Sequence, residues 1–197
     1  MMKYILVTAA LLYSIVFFGQ DHDDLYVLEA DSTWLKEIIK FPLSFAQDIN
    51  YEGYEDLRFA KNWSKPEGSE FFTYAFVWNI NLKEVPTVAM IEANMKLYYD
   101  GLMGAVNKEK DFTVPKTIVE FNELKSDTDL PKFKGKIQVH DSFFTRKTIE
   151  LHVTVKTSYC KDQNEYLMLF RVSTLDFDNA IWNQLNAIKL TLDICKK

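Results

Sequence analysis

Residues 71–104 read FFTYAFVWNINLKEVPTVAMIEANMKLYYDGLMG, and this stretch decides the fold class. Phe72, Tyr74, Phe76, Trp78, Ile80 and Leu82 alternate with Thr73, Ala75, Asn79 and Asn81. A period of two places the aromatic set on one face of a β-strand. The pattern then changes. Pro86 and Thr87 open a helix with Thr87 as N-cap, and Val88, Ile91, Met95, Tyr98 and Leu102 recur at three- and four-residue steps. Gly101 and Gly104 are expected to mark the end of that helix. A strong strand followed by an amphipathic helix predicts a sheet covered by helices, an α+β fold.

The C-terminal half extends the same reading. Residues 117–124 suit a strand, residues 126–131 a polar turn, and residues 134–155 a hairpin. Ile137, Val139 and Phe143 would share a core face with Ile149, Leu151, Val153 and Val155. A register that sets Phe143 opposite Ile149 and Val139 opposite Val153 keeps both sets on that face. It also sets His140 opposite His152 and Ser142 opposite Glu150 on the polar face, and leaves a tight loop at Thr145, Arg146 and Lys147. Residues 166–173 (YLMLFRVS) are apolar on both faces, as in a central strand. A final helix is expected to be capped by Asp176 or Asp178, with Ile181, Leu185, Ile188, Leu192 and Cys195 as its stripe.

Upstream the signals are weaker. Residues 32–41 (STWLKEIIKF) suit either a helix or a strand. Residues 41–59 look aromatic and turn-rich. The first twenty residues read as an export signal: Lys3 supplies the positive charge, and residues 4–18 form an apolar run. That run is shorter than the ~20 residues of a membrane span. Cleavage near Gly19 or Gln20 is expected, with an uncleaved anchor as the alternative. Residues 21–24 are polar and expected to fray.

Composition narrows the function classes. Without residues 1–20, 177 of the 197 residues remain, about one domain. Hydrophobic residues make up 48% of the chain, which excludes disorder. The formal charge is -5 and no basic cluster stands out, so nucleic acid is not an expected partner. The sequence holds no nucleophile elbow, HExxH zinc motif, phosphate-binding glycine loop or EF-hand loop.

Cys160 and Cys195 pair naturally in an exported chain. The bond would close a loop of about 35 residues and contribute roughly 3–4 kcal/mol. His140, His152 and Glu150 form a candidate polar site, either a weak metal site or a general-base pair, against the plainer reading of solvated side chains. Asp141 falls on the apolar face, either at a strand end or paired with Arg146 or Arg171. The aromatic residues from Phe41 to Trp78 read as core, or as the lining of a pocket for an apolar or sugar ligand. Trp63 stands apart, because charged residues flank it near a turn; it is a candidate ligand contact. Asn62-Trp63-Ser64 also matches the glycosylation sequon.

Residues 74–82 followed by 87–102, and LMLFRVSTLDFDNAIWNQLNAI at 167–188, resemble the Mog1/PsbP/DcrB type of α+β protein. In that family a core strand, a short turn containing Phe-Asp and a closing helix end the domain similarly. The resemblance implies an antiparallel sheet packed by two main helices. It also implies a non-catalytic binding or assembly role, and carries no functional residues across. A cystatin-like or NTF2-like cone, housing a small-ligand enzyme or carrier, is the alternative. The expectation is therefore an exported, periplasmic or secreted, binding protein. It has no catalytic residues, metal or cofactor, and its partner is an unidentified protein or small molecule. No membrane span is expected after residue 20.

Overall fold

A computed structural model describes residues 25–196 apart from residues 110, 127 and 193. The expected export signal (1–20) and the polar segment at 21–24 lie outside the described residues. Seven strands form one antiparallel sheet: β2 (Leu35–Lys40), β3 (Gly53–Phe59), β4 (Tyr74–Ile80), β5 (Ile118–Leu124), β6 (Lys132–His140), β7 (Thr148–Cys160) and β8 (Glu165–Ser173). Their order across the sheet is β2-β3-β4-β8-β7-β6-β5. Helix α1 (Val88–Val106) covers one face and α2 (Ile181–Ala187) covers part of the other. β1 (Leu28–Glu29) and β9 (Lys189–Leu190) pair as a separate ribbon. The fold is α+β, as the alternation at 72–82 predicts.

The period-two pattern sorts the side chains between two cores. Tyr74, Phe76, Trp78 and Ile80 face α1, where they meet Ile91, Met95, Tyr98, Tyr99 and Met103. The opposite face of β4 carries the smaller Ala75 and Val77, which allow Ile181, Trp182 and Leu185 of α2 to pack close. β8 lies at the middle of the sheet and is buried on both faces. Each fully buried Leu, Phe or Met contributes about 1.5–3 kcal/mol relative to exposure.

Thr87 caps α1 as expected, accepting the Met90 N–H at 3.2 Å. Gly101, however, lies inside the helix. A Cβ there would fall 2.0 Å from the Phe45 carbonyl oxygen, so glycine seats the 43–46 segment against α1 rather than ending it. The ambiguous 32–41 stretch is strand β2. Residues 53–59 form β3, which the turn-rich reading misses because Glu55, Asp56 and Arg58 are charged yet buried.

Asp56 and Arg58 form an ion pair beneath β1. The Asp56 carboxylate accepts the N–H groups of Val27 (2.8 Å) and Leu28 (3.0 Å). Arg58 Nη2 donates to the Leu28 carbonyl at 2.8 Å. Burial still holds the Asp56 carboxyl above its ordinary range, against the pull of Arg58. Removing one partner would leave a buried charge uncompensated, a cost of about 3–5 kcal/mol.

The hairpin register differs from expectation. Val139 faces Ile149, His140 faces Thr148, Gln138 faces Glu150 and Lys136 faces His152. β7 is slid by four residues, an even step that leaves every side chain on its expected face and changes only its opposite partner. The cause is Asp141. It is fully buried and accepts N–H bonds from Phe143 (2.9 Å), Phe144 (3.1 Å) and Thr145 (2.6 Å), together with the Thr145 hydroxyl (2.7 Å). This side chain organises a seven-residue connection, 141–147, in place of the tight loop. Its partner is the loop itself, neither water nor Arg146 nor Arg171. Phe143 consequently leaves the strand.

The closing helix is shorter than its apolar stripe suggests. Asn179, rather than either aspartate, accepts the Ile181 N–H at 3.0 Å. Arg171 reaches the C-terminus of α2, donating from Nε to the Leu185 carbonyl and from Nη2 to the Ile188 carbonyl, each at 2.8 Å. The chain then extends into β9, and Leu192 is 94% exposed. Cys195 sits in a single 3-10 turn beyond it (Ile194–Lys196). The Cys160–Cys195 disulfide forms, with a Cα separation of 5.0 Å, and fastens that turn, rather than a helix, to the end of β7.

Candidate functional site

The connections at the β3/β4 end of the sheet converge on Trp63. The 60–73 loop is folded back by bonds from Ala60 N–H to the Thr73 carbonyl and from Phe72 N–H to the Trp63 carbonyl. Phe72 takes a φ of 48°, a left-handed conformation uncommon for an aromatic residue. The Asp141-organised loop supplies Phe143 and Phe144. Trp63 lies 4.7 Å from the Phe59 ring, 5.4 Å from Phe144, 6.2 Å from Phe72 and 6.3 Å from Phe143, centroid to centroid. These are the tilted and edge-on contacts that aromatic quadrupoles favour.

Trp63 is half-buried and Phe143 is 36% exposed, so the cluster runs from the core to the surface. Lys61 and Lys65, either side of Trp63 in sequence, and Lys147, at the end of the Phe143-Phe144 loop, are exposed. Trp63 was legible as an outlier. The Phe143-Phe144 doublet was the available signal for its companions, obscured because Phe143 fits the alternation of the preceding strand.

The histidines do not meet. With β7 slid by four residues, His140 and His152 stand about 13 Å apart along the strands. His140 is buried with its ring 5.0 Å from Phe112. His152 Nε2 lies 2.8 Å from Asp176 Oδ1 and 3.5 Å from Glu150 Oε1, and its ring meets Phe177 edge-on. Asp176, expected as a helix cap, instead lies beside this imidazole.

Glu150 also accepts from Lys136 Nζ at 2.7 Å, and that bond draws its carboxyl below the ordinary range. Ser173 faces His152 across the sheet, but its hydroxyl is engaged by Thr73 and the Leu175 N–H. The group has the parts of a general base without a free nucleophile beside it. Among the described residues, no three or more His, Cys, Asp or Glu side chains are placed to hold a metal ion.

Two surface hollows lie elsewhere on the molecule. One, of about 400 Å³, lies among Glu29, Asp31, Trp34, Glu70 and Gln184. The other, of about 420 Å³, lies among Pro86, Thr87, Glu123, Leu124 and Pro131. Neither is lined by Trp63, His140, Glu150 or His152.

The space between the sheet and α1 is filled by rings: Phe76 stacks on Phe170 at 4.5 Å, Phe41 meets Trp78 at 5.5 Å and Phe45 meets Tyr98 at 5.1 Å. Glu55 is sealed beneath them. Tyr98 donates to its Oε1 at 3.0 Å while Oε2 has no partner, and burial pushes its carboxyl up to about 8. The sequence reading passed over this residue.

The chain matches no family model, no curated protein and no solved structure.

Proposed function

We propose that this is an exported, non-catalytic binding protein of the cell envelope, and that the ring cluster around Trp63 is its contact surface. The carrying observation is the disposition of aromatic side chains. Those under α1 are packed ring on ring, whereas Trp63, Phe143 and Phe144 sit on loops and reach the surface. Rigid, amphipathic rings that are partly exposed bring large contact area at little entropic cost on binding. A disulfide linking the last turn to the sheet supports work in an oxidising compartment. The apolar run at 4–18 supports the same destination. A relation to the Mog1/PsbP/DcrB type is part of this proposal.

The test is a photo-crosslinking residue at Phe143, read in the envelope fraction of cells that make the protein. A discrete adduct that disappears on Trp63→Ser, with the melting temperature held, supports the reading. Crosslinking that is unaffected by Trp63→Ser overturns it. So does substrate turnover that depends on His152.

A further inference from the structure

The two outer strands of the sheet are finished differently. On β5, α1 reaches over to the backbone: Asp100 Oδ1 accepts the Thr117 N–H and Glu92 Oε1 accepts the Phe121 N–H, both at 2.8 Å. These bonds cover two donors along that edge, a common form of protection for an outer strand. β2 has no such cover among the described residues. The Phe41 N–H donates to the Gly53 carbonyl, so by alternation the odd positions of β2 bond inward to β3. Lys36, Ile38 and Lys40 therefore turn their N–H and C=O groups away from the sheet. Leu35 is 54% exposed, and Ile38 and Ile39 are only half-buried.

We infer that the outer edge of β2 is a docking site for an extended segment of a partner protein, which would add an eighth strand to the sheet. Charge selects the occupant. Lys36 and Lys40 lie on one face with Ile38 between them. They suit a strand carrying acidic side chains four residues apart with an apolar residue between.

The same charges disfavour a second copy of this chain. An antiparallel two-fold pairing that uses most of β2 opposes Lys36 to Lys40 in one register and Glu37 to Glu37 in the other. Like charges directly opposite are destabilising. The edge thus rejects itself and accepts an acidic strand. Only the Leu35 end of this edge adjoins the Trp63 cluster, through Phe59, and the two proposals are tested by different variants.

The experiment uses the full chain and a blocked hexapeptide Glu-Val-Val-Thr-Glu-Val as probe. Amide exchange at Lys36, Ile38 and Lys40 is expected to be fast in the free protein and to slow about tenfold on saturation with the probe. Ile38→Pro deletes an outward donor while leaving the inward ladder intact. It should keep the melting temperature and lose the protection. Charge reversal by Lys36→Glu with Lys40→Glu should weaken this probe and favour its lysine counterpart. The inference is overturned if the three amides are already slow without probe. Ile38→Pro binding the probe as well as the parent, or a concentration-dependent dimer through β2, would also overturn it.

Discussion

Replacing Glu55 by Gln should flatten the dependence of stability on pH through the neutral range. Glu55 is fully buried, with one oxygen held by Tyr98 and the other unpartnered. Burial raises its carboxyl from 4.5 to about 8; the nearby Glu37 and Asp56 carboxylates add to the rise, and the hydrogen bond from Tyr98 opposes it. In the unfolded chain the group ionises near its ordinary value. Between those two points the folded protein keeps a proton that the unfolded chain has released. Unfolding then releases a proton, so stability falls as pH rises, by about 1.4 kcal/mol per pH unit for this one group.

From pH 5 to pH 8 the loss is roughly 4 kcal/mol, a large fraction of the ~5–15 kcal/mol of a typical domain. Gln has the shape of the protonated acid and cannot ionise. Urea unfolding of parent and Glu55→Gln at pH 5, 6.5 and 8 reads the difference directly. Other groups, Asp100 and Glu150 among them, titrate equally in both proteins and cancel. Parallel pH profiles for the two proteins would refute the reasoning.

Further outcomes follow from named contacts. Gly101→Ala should cost about 1–3 kcal/mol in thermal melts despite the better helix propensity of alanine, because its Cβ meets the Phe45 carbonyl. Gly104→Ala, with open space around it, should be neutral or stabilise by up to ~1 kcal/mol. Asp141→Ala removes the acceptor for three loop N–H groups and a hydroxyl. It should cost roughly 2–4 kcal/mol in denaturant titrations and red-shift Trp63 emission as Phe143 and Phe144 move away. Converting Cys160 and Cys195 together to Ser should cost about 3–4 kcal/mol, checked by urea unfolding under oxidising conditions.

How far the sequence could be read depended on which interactions set each feature. β4 and α1 were legible because burial alone dictates their periods. The faces of β6 and β7 were legible for the same reason. Their pairing was not, because a single aspartate that holds its own loop decides it. β3 was hidden, since Glu55 and Arg58 are buried through specific partners and carry no apolar signature. The end of α2 depended on Arg171, a residue of another element. Trp63 could be singled out by its charged neighbours, yet two of its ring partners, Phe143 and Phe144, come from a loop some eighty residues away. The proximity of His140 and His152 was an inference from register, and it failed with the register.

The pairing of β1 with β9 and the position of the disulfide together fix how the molecule carries mechanical load. Leu28 lies beside Leu190, so tension entering ahead of β1 peels that ribbon open bond by bond. A pull applied beyond Cys195 crosses the sulfur bridge directly to Cys160 at the end of β7. The intervening loop, which holds β8 and α2, lies off the covalent path between Cys160 and Cys195. The strand at the centre of both cores is therefore shielded from stretching at either end of the chain.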